Sequence, residues 1–305
     1  MLDGYDIVVA GGGVAGLTAG LTAARLGRSA LVLTGVVPGG LLLTIDRVDG
    51  FPGFPEGIAG YELCPSLQEQ ADAAGAEVVA LELTSVAERN GGWQVTTDEG
   101  DVDALALIVA TGARFRRLGV PGEDRLLGHG ISTCASCDGP LLGGATVAVV
   151  GGGDSALQEA LTLAETAAKV IVLHRGEGLD GQASYRLRVE AQPAIEIRYG
   201  TLVEEILGAE RVEGVRVRGP ATESATELEV AAVFPFVGLQ PNSETVSEHV
   251  GVDDRGAVRT NGGLATSADG IFAAGVVRSR AAGRAAAATG EGAAAAIAAD
   301  AYLGR

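Results

Sequence analysis

Among 305 residues there are only three cysteines, three histidines, one methionine and one tryptophan, and basic residues are outnumbered by acidic ones, 22 to 39. Each scarcity excludes something. Three cysteines cannot build a disulfide framework, so a conventional core must hold the fold. The formal charge of −17 sets the surface against phosphate backbones and acidic membranes, so no nucleic-acid and no membrane partner is expected. Small molecules or proteins are the expected partners. The longest apolar stretch, 281–302, is broken by Arg284, Glu291 and Asp300. No run therefore reaches the ~18–20 uninterrupted apolar residues that a membrane span needs. The first residues carry neither a basic region nor an apolar h-region, so a cytoplasmic location is the expectation.

What is present is a sizeable apolar fraction, 47%, enough to give about two domains of ~100–200 residues a core each. Residues 5–10 form a short β-branched run that enters Gly11-Gly12-Gly13-Val14-Ala15-Gly16 and then a helical pattern to about Leu26. A strand at 30–33 completes a βαβ unit, the context that a dinucleotide-binding glycine loop demands. The same grammar returns later. A strand at 146–150 runs into Gly151-Gly152-Gly153-Asp154-Ser155-Ala156, a helix through about Ala168 and a strand at 170–173. Further strands are expected at 78–83, 93–97, 105–110, 195–199, 212–217, 233–238 and 270–275, with a long helix at the C-terminal end. Pro and Gly punctuate 116–121 and 240–242, so the second unit is expected to be inserted into the first. A lone Gly-x-Gly-x-x-Gly is weak, because glycine turns also cap ordinary strands. Two such loops, each between a strand and a helix, point to two nucleotides, or to one nucleotide and one relic.

Just ahead of the second unit stands Ser132-Thr133-Cys134-Ala135-Ser136-Cys137-Asp138-Gly139-Pro140. The two-residue spacing lets the thiols bridge and favours a lowered pKa on one of them, and Asp138 is placed to carry protons as general acid or base. The bland alternatives are half a zinc site, two unrelated small residues and, for Asp138, a turn residue. Zinc would need two more ligands. Only Cys64, His129, His174 and His249 are on offer, scattered along the chain, so no metal is expected. Cys64 lies on an expected helix after Gly60 and reads as packing.

With this pair between two nucleotide folds, the chain closely resembles the low-molecular-weight thioredoxin reductases over essentially its whole length. Besides the cysteine segment, the resemblance is carried by Pro38-Gly39-Gly40, Gly50-Phe51-Pro52-Gly53-Phe54-Pro55-Glu56-Gly57, Ala110-Thr111-Gly112-Ala113, Val120-Pro121-Gly122-Glu123, Gly238-Leu239-Gln240-Pro241-Asn242 and Gly270-Ile271-Phe272-Ala273-Ala274-Gly275. It implies an α/β fold of two Rossmann-like, three-layer, parallel-sheet domains: an FAD-binding domain of 1–115 and 242–305, and an NAD(P)H-type domain of 116–241 that carries the cysteines. It places FAD against Gly11, Gly13, Gly16, Thr34, Gly39, Gly40, Thr111, Gly112, Gly275, Arg284 and Ala285, and NADPH or NADH against Gly151, Gly153, Ser155, His174 and Arg175. Cys134, Cys137 and Asp138 then carry the chemistry, with Cys137 next to the flavin. Electrons run from nicotinamide to flavin to disulfide to a thioredoxin-like protein or a small disulfide. Family members are homodimers whose domains swing between half-reactions.

The chain departs from the family pattern at identifiable points. The family follows its second nucleotide strand with His-Arg-Arg and, four residues later, another Arg, to grip the 2′-phosphate of NADPH. Here His174-Arg175 are kept while the other two positions are Gly176 and Asp180. Losing a guanidinium–phosphate contact and adding an anion both weaken that grip. Nor does an acid end the strand, as a site for the NADH ribose would want, since that residue is His174. A donor such as ferredoxin stays open. On the flavin side the family's Gln, Asn and Asp are Leu41, Gly50 and Val276, and its Arg-Gln reads Gly283-Arg284. Each change removes a polar contact worth ~0.5–1.5 kcal/mol. The flavin would then rely on backbone N–H groups at 11–16 and on a helix start near Gly290-Glu291-Gly292. Three functions follow: a flavin-dependent disulfide reductase, a flavin thiol oxidase that makes disulfides in a dithiol and passes electrons to oxygen, and a nucleotide-fold scaffold without turnover. A thiol pair beside an acid favours the enzymes, because a scaffold has no physical need for it.

Overall fold

Short runs of Val, Ile and Leu that end at glycine organise both parts of the protein. The computed structural model describes residues 4–89, 91–220 and 225–304. They form two units, Met1–Arg114 with Gln240–Arg305, and Phe115–Leu239, so the second interrupts the first. The fold is α/β, with two Rossmann-type halves.

In the first unit Tyr5–Ala10 lies between Ala30–Leu33 and Gly100–Val109, parallel to both. Ile7, Val8, Val9 and Ala10 are fully buried, as expected of a strand covered on both faces. Glu77–Val79 extends the parallel sheet beyond Ala30–Leu33. On the other side the long strand Gly100–Val109 forks. Its first half pairs antiparallel with Gly92–Thr97, which pairs with Leu83–Arg89, and its second half runs parallel to Ile271–Ala273. Helices Val14–Arg25, Gly60–Ala73 and Ala285–Leu303 supply apolar side chains to one face, including Leu17, Leu63 and Ala295. The opposite face packs Leu31, Leu107 and Ile271 with Trp93 of the antiparallel ribbon and with Val246, Val250 and Val258. Each fully buried Leu or Ile contributes about 1.5–3 kcal/mol.

The second unit repeats the plan at smaller scale. A parallel sheet is ordered Ile195–Arg198, Lys169–Leu173, Thr146–Val150, Ala232–Pro235, accompanied by helices Asp154–Leu163 and Ala183–Ala191. An antiparallel meander, Leu202–Leu207, Gly214–Arg218 and Thr226–Glu229, closes its other side.

Three sequence expectations change. The run 78–83 is not one strand: Glu77–Val79 ends as a parallel edge, the chain turns, and Leu83–Arg89 starts an antiparallel hairpin with Gly92–Thr97. The helix after the second glycine loop stops at Leu163 rather than near Ala168, because Ala167 N–H bonds to Leu163 O in a closing turn and Ala168 N–H turns to Ala145 O. The last helix begins at Ala285, so Gly290-Glu291-Gly292 lies in its interior and offers no open helix start. Of the two glycines, Gly292 serves packing instead. A Cβ on Gly292 would stand 2.1 Å from Ala15 O, backbone that cannot yield, whereas Gly290 faces open space. Gly292→Val is therefore expected to destabilise the protein by about 1–3 kcal/mol or more, and Gly290→Ala to stabilise it by roughly 0.5–1 kcal/mol. Urea melts of both variants check the opposite signs.

Candidate redox site and nucleotide loops

Cys134 caps a single helical turn, Ala135–Asp138, and side chains accept several of the N–H groups at its start. Cys134 N–H donates to Ser132 Oγ at 3.1 Å, Ala135 N–H to Glu159 Oε2 at 2.8 Å, and Cys137 N–H to Cys134 Sγ at 3.2 Å. Asp138 N–H returns to Cys134 O. The two cysteines form a disulfide with Cα atoms 5.3 Å apart. Their settings differ: Cys134 is buried and Cys137 is exposed. When the bridge opens, the N–H aimed at Cys134 Sγ favours the thiolate there.

Glu159, under this turn, is a residue the sequence reading passed over. It is buried on Asp154–Leu163 beside Ala156, Ala160 and Leu163. Its position three after Ala156 and four before Leu163 puts it on the inward face at helical period, a signal that was available. A buried carboxylate needs donors, and the Ala135 N–H is one of them.

The first glycine loop is shaped by backbone approach. Gly11 sits at φ 122°, and a Cβ on Gly16 would stand 1.8 Å from Gly11 O. Gly13 precedes Val14–Arg25 with nothing within 4 Å of its Cβ position, and no side chain caps that helix. The loop's outer face and the helix N–H groups are thus open toward a pyrophosphate. Around it gather Thr34, against Gly12, and Gly39, whose N–H bonds to Gly12 O at 2.8 Å, with Gly40 next in chain. Thr34 Oγ1 already donates to backbone. Thr111 and Gly112 follow Gly100–Val109 and are held by Asn242, whose side chain donates to Thr111 O and whose N–H donates to Gly112 O. Gly275 packs against Ala15 and Ala288; Arg284, exposed, and Ala285 open the last helix. All these residues, the three loop glycines included, follow strand ends or lie at the start of a helix within the same unit. Beside Val276, a second unforeseen pair appears. Glu291 accepts Gly275 N–H at 2.7 Å and pairs with Arg278, both carboxylate oxygens engaged. A carboxylate from the helix interior thus fixes the turn where the family carries its Asp. The residues present fit a flavin dinucleotide: an open glycine cradle, an uncapped helix start and small residues around it.

The second loop is built alike. Gly151 N–H bonds to Leu173 O, as Gly11 N–H bonds to Leu33 O, and Gly153 opens Asp154–Leu163 with free space at its Cβ and no capping side chain. Ser155 and Arg175 are exposed, while His174 is buried at the end of Lys169–Leu173. The sequence placed no acid at this strand end, yet Asp180 Oδ2 comes within 3.8 Å of His174 Nε2. Cys64 stands apart. It is buried on Gly60–Ala73, its Sγ 3.6 Å from Gly39 O, and burial pushes the thiol up to about 11.

Two glycine-turn nucleotide folds, one interrupting the other, with a disulfide at the entry to the inserted one, define a flavin-type disulfide oxidoreductase. Residues 5–292 match the family described as Pyridine nucleotide-disulphide oxidoreductase. A thioredoxin reductase of Treponema pallidum is 36% identical over 98% of this chain and 97% of its own length, and one of Mycolicibacterium smegmatis 38% identical over 98% and 96%. A crystal structure of Lactococcus lactis thioredoxin reductase superposes with a TM-score of 0.95 at 32% identity, covering 98% of this chain and 99% of that one. The chain belongs to the pyridine nucleotide-disulphide oxidoreductase family and is a thioredoxin reductase-like member of it.

The thiol settings predict a titration. After reduction, the folded protein should show two thiols reacting quickly with an aromatic disulfide reagent near neutral pH, and the third, Cys64, only in denaturant. Three fast thiols in the folded state would contradict the desolvation of Cys64 within its helix.

Proposed function

We propose that the protein reduces the disulfide of a thioredoxin-like partner or a small disulfide, with FAD in the unit of Gly11–Gly13–Gly16 and a pyridine nucleotide in the inserted unit. The observation that supports this most is the Cys134–Cys137 disulfide with its two unlike sulfurs, on a turn anchored to the helix that leaves the second glycine loop. When bound, the flavin supplies two-electron chemistry between nicotinamide and disulfide. The open second cradle favours a nucleotide donor over ferredoxin.

The protein's own residues then act in order. Reduction of the bridge by two electrons and two protons gives two thiols. Cys134 Sγ, which accepts Cys137 N–H, is the sulfur held as thiolate, and it attacks the partner's disulfide. One partner sulfur leaves with a proton and a mixed disulfide forms. Cys137 then attacks Cys134 Sγ, the bridge closes, and the second partner sulfur leaves reduced. Asp138, at the end of the same turn, holds or delivers the proton for the departing thiol. Glu159 positions the turn through Ala135. The reading also includes a cytoplasmic location and a homodimer; the homodimer rests on the family resemblance and is checked by the solution mass.

Cys137→Ser is expected to lose turnover of thioredoxin-like disulfides by on the order of 10³-fold or more while keeping its yellow colour. Asp138→Asn should lose on the order of 10²-fold with the flavin spectrum unchanged. Reduction assays beside visible spectra of the same preparations check both, and undiminished turnover in Cys137→Ser would sink the assignment.

A further inference from the structure

We infer that Asp180 is the specificity residue of the second nucleotide site: it accepts the adenosine-ribose hydroxyls of an unphosphorylated dinucleotide, so that NADH rather than NADPH is the donor that fits. This rests on the inserted unit being a nucleotide domain, and it goes beyond that reading by selecting between two ligands.

In a dinucleotide fold the ribose hydroxyls are met by an acid at the end of the second strand. That position is His174, and its ring is buried. A Cβ on Gly152 would lie 2.4 Å from its Nδ1, and one on Gly176 2.6 Å from its Nε2, so the imidazole is wedged between the glycine loop and the following turn at 6% exposure. A side chain at 176 requires this ring to move. With Gly176 in place of an arginine, the site lacks the charge there that would grip a 2′-phosphate.

The acid arrives from six residues further on. The chain doubles back so that Asp180 and Gly181 N–H both bond to Gly152 O, at 2.8 and 3.0 Å, and Gln182 N–H bonds to Asp154 Oδ1 at 2.6 Å. These bonds tether the backbone of 180–182 to the glycine loop and the helix it opens. They bring the Asp180 carboxylate to 3.8 Å from His174 Nε2 while its side chain stays 79% exposed. An ionised carboxylate is an acceptor only, the complement of a ribose diol. In the first unit the matching backbone bond, from Gly39 N–H to Gly12 O, is made by a residue without a side chain, so the carboxylate is particular to the second site. Within 174–180, Arg175 is the one arginine or lysine against Glu177 and Asp180. A doubly charged 2′-phosphate meets the Asp180 carboxylate as a like charge, whereas a hydroxyl meets it as an acceptor.

The test is calorimetric titration of the purified oxidised protein with ADP-ribose and with 2′-phospho-ADP-ribose. The wild type should prefer ADP-ribose by about tenfold or more, a difference of about 1.4 kcal/mol. Asp180→Asn, a change on an exposed side chain, should narrow that preference, and Asp180→Arg should reverse it, with the melting temperature and the flavin spectrum unmoved. Equal or tighter binding of the 2′-phospho ligand by the wild type, or an unchanged ratio in both variants, would overturn the role of Asp180 alone. No binding of either ligand would overturn the nucleotide reading of the inserted unit together with it.

Discussion

Helices in this protein are seated by backbone meeting backbone, and that is possible only where no Cβ stands between. A Cβ on Gly16 would lie 1.8 Å from Gly11 O, and one on Gly292 2.1 Å from Ala15 O. The first contact seats Val14–Arg25 at the end of its strand, and the second brings Ala285–Leu303 onto the same helix. Close seating leaves the helix N–H groups pointing past the loop, which is what a pyrophosphate needs. The second loop relaxes the rule, with Ala156 in place of the last glycine and its Cβ 3.1 Å from where one on Gly151 would be. Both cradles are consequences of this geometry rather than of any charged side chain.

On that frame the redox pair is placed by hydrogen bonds together with the packing of buried Ala135. One turn of helix is too short to hold itself, since a first turn fixes several residues for one bond. Ser132, Glu159 and Cys134 Sγ supply the missing acceptors. The same arrangement distinguishes the sulfurs, one buried and receiving an N–H, the other exposed. Burial within its helix pushes the Cys64 thiol up. Three cysteines therefore separate into two roles for local electrostatic reasons.

Much of the fold was legible in the sequence because it is written locally. β-branched runs ending in glycine, such as 5–10 and 146–150, mark strand, turn and helix without reference to anything distant. The cysteine segment was equally legible, since its chemistry lies within four residues. What escaped depends on residues far apart or on a chain that doubles back. Leu83–Arg89 was hidden because its partner strand, not its own pattern, separates it from Glu77–Val79. Glu291 reaches Gly275 N–H across sixteen residues, replacing by tertiary contact a polar group that looked lost at Val276. Asp180 looked like a misplaced anion until its backbone bond to Gly152 brought it to the end of the strand.

The central claim is that a flavin and the Cys134–Cys137 disulfide act as two redox centres in one chain. Anaerobic titration of the air-oxidised protein with dithionite, followed in the visible spectrum, tests it most directly. Two two-electron couples require about four electrons per chain, with bleaching of the flavin accompanied by the appearance of two thiols. Uptake of only about two electrons with no thiols formed, or a protein without flavin absorbance that takes up none beyond its disulfide, would contradict the account.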